Sequence, residues 1–98
     1  MRAPKPLRAP LQFFQAVKSV YDDEEKSTEA IRIGQGLSWG DRSPCCFCGT
    51  DRFFRPGYAM NLVEGWIPAL TGIEEKLKAG AKVVDIGCGH GSATVLMA

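Results

Sequence analysis

Residues 83–91 read Val-Val-Asp-Ile-Gly-Cys-Gly-His-Gly, and this segment constrains the chain more than any other. Val83, Val84 and Ile86 are nearly continuous β-branched residues. That is the pattern of a strand buried on both faces of a parallel sheet, and it predicts a strand over 82–86. The glycines at 87, 89 and 91 predict a tight loop. Residues 92–98 are small and apolar and predict the start of a helix. Strand, glycine loop and helix in that order receive a nucleotide-like cofactor at the carboxyl end of the strand. Gly87 and Gly89 lack the Cβ atoms that would hold a ligand off the backbone. The helix start behind them offers free N–H groups and partial positive charge. The fold class expected from this segment is α/β.

The loop also discriminates between ligands. The dinucleotide fingerprint is G-x-G-x-x-G, and its sixth place here is Ser92, with Gly91 one position early. A phosphate-binding P-loop is excluded, because no Lys-Ser/Thr pair follows the glycines. The pattern is instead Asp85-x-Gly87-x-Gly89-x-Gly91. A carboxylate at the strand end repels a pyrophosphate and favours a ligand carrying an ammonium or sulfonium.

Asp85-Ile86-Gly87-Cys88-Gly89-His90-Gly91 resembles motif I of the class I S-adenosylmethionine-dependent methyltransferases. The stretch 50–58 (Thr-Asp-Arg-Phe-Phe-Arg-Pro-Gly-Tyr), with Asn61-Leu62-Val63 and 66–70 (Trp-Ile-Pro-Ala-Leu), narrows the resemblance. It is similar to a bacterial subgroup with a helical, winged-helix-like N-terminal domain before a Rossmann-like catalytic domain. The likeness covers roughly 11–98 and is most specific over 50–98. It implies methyl transfer from S-adenosylmethionine by in-line displacement, to an acceptor it does not name. By position, Gly87, Gly89 and Gly91 would shape the loop against the methionine part of the cofactor. Asp85 would hold the ammonium group, directly or through water. Cys88 and His90 would contribute mainly backbone. Arg55 and Tyr58 would lie near the entrance, with Arg55 pairing the cofactor carboxylate. The family's ribose-binding acid is expected about 20 residues after the glycine loop, past Ala98.

Upstream, residues 1–10 read as a disordered, Pro-rich leader. Leu11, Phe14, Val17, Val20 and Tyr21 recur at helical spacing and predict an amphipathic helix over 11–21. Four consecutive acids, 22–25, read as a solvated face or turn. Ser27 or Thr28 caps a short second helix through Ile31, which stops at Gly34 and Gly36. Residues 34–57 hold five glycines with Pro44 and Pro56, and are expected to be mostly loop. Residues 58–70 look helical, with a bend or a helix restart near Ile67 required by Pro68. Thr71-Gly72-Ile73-Glu74 reads as a capping box. The helix it opens buries Ile73 and Leu77 and ends at Gly80. The expected organisation is a leader over 1–10, a helical segment and loop over 11–49, and an incomplete Rossmann-like methyltransferase domain over 50–98.

Length bears on this directly. A chain of 98 residues makes one domain at most and buries roughly 65% of its unfolded surface. That is too little for a complete doubly wound enzyme. The expectation is an N-terminal methyltransferase fragment that binds S-adenosylmethionine weakly or not at all alone, and lacks turnover. Twelve Lys+Arg against eleven Asp+Glu leave no basic face for nucleic acid. No apolar run is long enough for a membrane span, and no secretory signal is present, so a cytoplasmic setting with reduced thiols is expected. Cys45, Cys46 and Cys48 fall short of a zinc site, because adjacent cysteines point apart and four spaced ligands are needed. They are read as free thiols in a loop, with no metal. His90 as a general base is the sharper but weaker reading beside a solvated loop histidine. The aromatics Phe13, Phe14, Phe53, Phe54 and Trp66 are expected in the core. The alternative function is a helical interaction or DNA-associated module, with homodimerisation through the N-terminal helices. A dinucleotide-dependent oxidoreductase is disfavoured by Asp85 and Ser92.

Overall fold

A computed structural model describes residues 5–98, with side chains from Gln12 onward. Its elements are α1 (Lys5–Asp22), α2 (Glu24–Arg32), a 3-10 turn (Trp39–Asp41), α3 (Pro44–Asn61), a π-helical turn (Leu62–Trp66), α4 (Ile73–Lys78) and α5 (Ser92–Met97). The chain divides into two compact units, Met1–Phe53 and Phe54–Ala98.

In the first unit α1 starts at Lys5, inside the stretch read as a disordered leader; residues 1–4 of that stretch lie outside the described residues. Pro6 sits in the first turn, where its missing N–H has no intrahelical partner to lose. The acidic run is more than a solvated face. Asp23 separates α1 from α2 and is only 1% exposed. Its two carboxylate oxygens accept the Ser43 backbone N–H at 3.0 and 2.9 Å. Beside it, Asp22 accepts Lys18 Nζ at 2.7 and 2.8 Å and the Ser43 hydroxyl at 3.0 Å.

Ser43 then opens α3, which runs through the stretch read as loop. Its Oγ accepts the Cys45 N–H at 3.3 Å, and Pro44 takes the first helical place, which suits proline. Gly49 is buried because α3 lies directly against α1 there. A Cβ on it would fall 2.8 Å from Ala16 Cα and 2.9 Å from the Gln15 carbonyl carbon. Glycine in this helix is therefore a contact residue, not a breaker. Around it Arg52 donates to Gln15 Oε1 at 3.0 Å, and the Phe13 and Phe53 rings stand 4.9 Å apart.

The second unit is built differently. α3 ends at Asn61, and a π-helical turn follows, with the Ile67 N–H donating to Leu62 C=O at 2.9 Å. Ile67 is buried, and α5 packs on this turn. The helix expected over 58–70 thus stops early: Pro68 lies in the turns that follow, and no α-helix resumes until Ile73. The capping box at Thr71 does not form: Gly72 takes the N-cap place at φ +75°, without a side-chain cap. The Glu74 carboxylate instead accepts Lys78 Nζ at 2.7 Å, one turn on. Gly80, at φ +91°, follows α4 as expected.

The expected α/β class, with a first strand opening a Rossmann-like domain, is not what forms. Among the described residues there is no strand, and the architecture is mainly helical. Residues 81–85 form neither helix nor strand, and Val84 and Ile86 are 83% and 94% exposed. The reason is physical. A β-branched run scores as strand because it packs well on a pleated, half-buried surface. Without a neighbouring strand there is no ladder and no such surface. The aromatic core is also corrected: Phe13, Phe14, Phe54 and Trp66 are exposed. Among the described residues only Ala16 and Ile67 are buried hydrophobic side chains.

Candidate functional site

The glycine loop lies wholly within the second unit. Gly87, Gly89 and Gly91 have φ of +73°, +58° and +79°, in the left-handed region. No atom lies within 4 Å of where a Cβ on any of them would stand. Conformation, not crowding, therefore requires glycine here, and the space above the loop is open. The Gly91 N–H donates to Cys88 C=O at 2.9 Å and closes the turn.

Asp85 precedes the loop and is half-buried. Its Oδ2 accepts the Thr94 hydroxyl at 2.7 Å, which ties the carboxylate to the first turn of α5. A pocket of about 390 Å³ opens beside it. Val83, Val84, Asp85, Gly87 and Cys88 form one side, Ala93 and Met97 of α5 another, and Tyr58 of α3 a third. Tyr58 is held by other rings: Phe54 stacks 6.1 Å away and Trp66 meets it edge-on at 6.3 Å. An apolar pocket of about 420 Å³ shares Val83, Val84 and Met97 and extends between Trp66, Leu70 and Leu77.

Of the residues singled out from sequence, Asp85, Gly87, Cys88 and Tyr58 line one pocket. Gly89 and Gly91 shape the loop without lining it, and Arg55 is not among the lining residues. His90 is exposed and outside the lining, as a solvated loop histidine would be. Sequence reasoning missed Thr94, Ala93 and Met97. The 93/97 spacing places that pair on one helix face. Nothing in the sequence pointed to the Thr94 contact with Asp85. The pocket presents a carboxylate, an aromatic ring, exposed glycine backbone and apolar walls. That set suits an organic cation with an apolar or aromatic body.

Cys45, Cys46 and Cys48 are half-buried free thiols in the first turns of α3, and Cys88 is exposed. Among the described residues no three His, Cys, Asp or Glu side chains are grouped to hold a metal ion. Nor is any helix there long and apolar enough to cross a membrane. No family model, curated protein or solved structure matches the chain.

Proposed function

We propose that Asp85, the loop through Gly91 and Tyr58 bind S-adenosylmethionine, and that the chain is the cofactor-binding part of a methyltransferase. One observation carries the reading: Tyr58 and Asp85, distant in sequence and both implicated by the motif resemblance, line the same pocket. The residues present fit the cofactor's chemistry. The Asp85 carboxylate, steadied by Thr94, accepts from the ammonium group in a charge-assisted hydrogen bond. The bare glycine loop lets the methionine chain lie against backbone. The Tyr58 ring, in the same lining, would offer a face to the cationic part. The cofactor supplies an activated methyl group; the chain's own residues bind and orient it. The methyl acceptor is a separate question.

The pocket is open and has one charged partner, so affinity is expected in the millimolar range, about −4 kcal/mol. Titrating the isotope-labelled chain with S-adenosylmethionine should shift the amide signals of Gly87, Gly89, Gly91 and Ala93. ATP, which has the adenosine but no ammonium, should not shift them. Asp85→Asn should weaken binding roughly tenfold, the value of one hydrogen bond to a charged group. Silence of the loop amides at millimolar cofactor refutes the reading.

A second reading, an interaction module that self-associates through α1, is favoured by a different observation. Phe14, Val17 and Tyr21 fall on one face of α1, and Phe14 and Tyr21 are 69% and 75% exposed. Concentration-dependent dimerisation lost in Phe14→Ser, with loop amides indifferent to S-adenosylmethionine, would select it.

A further inference from the structure

Residues 45–48 read Cys-Cys-Phe-Cys, and the structure places them in a helix where the sequence suggested a loop. That changes what the three thiols can do. An α-helix turns about 100° per residue. Cys45 and Cys46 therefore diverge by about 100°, and Cys46 and Cys48 by about 200°. Cys45 and Cys48, three apart, fall within about 60° of each other on one face. Both are partly exposed, so a small reagent reaches them. The Lys18 ammonium lies within electrostatic range of Cys45. It is also bonded to Asp22, whose carboxylate reaches Ser43 at the same helix start. Local charge is thus nearly balanced, and the pairing preference is geometric.

We propose that Cys45 and Cys48 form a redox-active dithiol that closes to a disulfide by exchange with a low-molecular-weight disulfide of the glutathione type. The site lies in the first unit, and the proposal stands independently of cofactor binding. The Cys45 thiolate attacks one sulfur of glutathione disulfide. A Cys45–glutathione mixed disulfide forms, and one glutathione leaves as thiolate. The Cys48 thiolate then attacks the Cys45 sulfur, and the second glutathione leaves. The two thiol protons end on the two glutathiones. The protein has lost two electrons and the oxidant has gained them.

Helix geometry also sets how labile the bond is. Side chains three apart have Cβ atoms roughly 5–6 Å apart, and a relaxed disulfide needs about 3.8 Å. The first turn of α3 must tighten by more than 1 Å to close it. Such a strained bond is easily reduced again, which suits a reversible switch better than a permanent staple.

The test uses the full chain. After incubation with glutathione disulfide and alkylation of remaining thiols, trypsin cuts after Arg42 and Arg52 and releases residues 43–52 with all three cysteines. The expected peptide is lighter by two hydrogens, cross-linked between positions 45 and 48, and carries one alkyl group on Cys46. Excess reduced glutathione should reopen it. Cys46→Ser and Cys88→Ser should close as well as the parent. Cys48→Ser should stop at the glutathione adduct. Cross-links through Cys46, adducts without closure in the parent, or undiminished closure in Cys48→Ser would each overturn the assignment.

Discussion

The two units solve the same problem with different means. Residues up to Phe53 are held by a buried carboxylate that grips a helix start, and by two helix backbones in contact at Gly49 and Ala16. Residues from Phe54 onward have one buried hydrophobic side chain, Ile67, and leave their most apolar run in solvent. In the first, specificity comes from polar contacts that only one arrangement satisfies. In the second, local turns and glycine conformations set the path, and the glycine loop is displayed rather than enclosed. Two glycines of one helix make the comparison experimental.

Gly49→Ala puts a methyl group against Ala16 and Gln15 main-chain atoms that cannot step aside. A helix interior normally gains about 1 kcal/mol from this substitution. Overpacking here should outweigh that gain and leave a net loss of about 2–3 kcal/mol, read as a lower urea midpoint. Asp23→Ala should cost about 2 kcal/mol, because the Ser43 N–H is left buried without an acceptor. Hydrogen exchange at the start of α3 would quicken with it. If Asp23→Ala unfolds at the parent midpoint, the polar clamp does not hold the first unit. Gly57→Ala, in α3 but within the second unit, meets no atom within 4 Å. It should stabilise by up to about 1 kcal/mol, visible as increased helical circular dichroism on heating. Equal effects at Gly49 and Gly57 would erase the contrast between units.

The smallest effect is pH-dependent. Lys18 donates to Asp22 and Ser43 adds a second bond, which together hold that carboxyl below its usual range. Arg32 does the same for Glu29. Carboxylates lowered in the folded state contribute stability above their ordinary pKa and lose it as pH falls through the folded value. Acid should therefore weaken the first unit. The lysines run the other way: Asp22 raises Lys18 and Glu74 raises Lys78. Their contributions are present below the ordinary lysine value and fade as pH rises through the folded one. All these groups are exposed, so both limbs should flatten in high salt. Urea midpoints measured across pH at low and high ionic strength would show it.

Local chemistry was legible where a residue's own backbone decides. Gly80 takes the left-handed conformation its position suggested, and the glycines at 87, 89 and 91 form the turn expected of them. What escaped depends on distant partners. Gly49 counts as a breaker until α1 supplies the surface that requires it. Asp23 looks solvated until Ser43 arrives from twenty positions away. The run at 83–86 has the composition of a buried strand, but a strand exists only with a partner, and periodicity carries no information about partners.

That unpaired run has a further consequence. Proteases bind their substrates extended, with main-chain groups free to pair with the enzyme's own edge. Residues 81–85 belong to no helix or strand that would have to open first, and Lys82 is exposed within them. The peptide bond after Lys82 is thus presented to a trypsin-like enzyme without prior unfolding. The chain's most informative segment is thus also a point at which it can be severed.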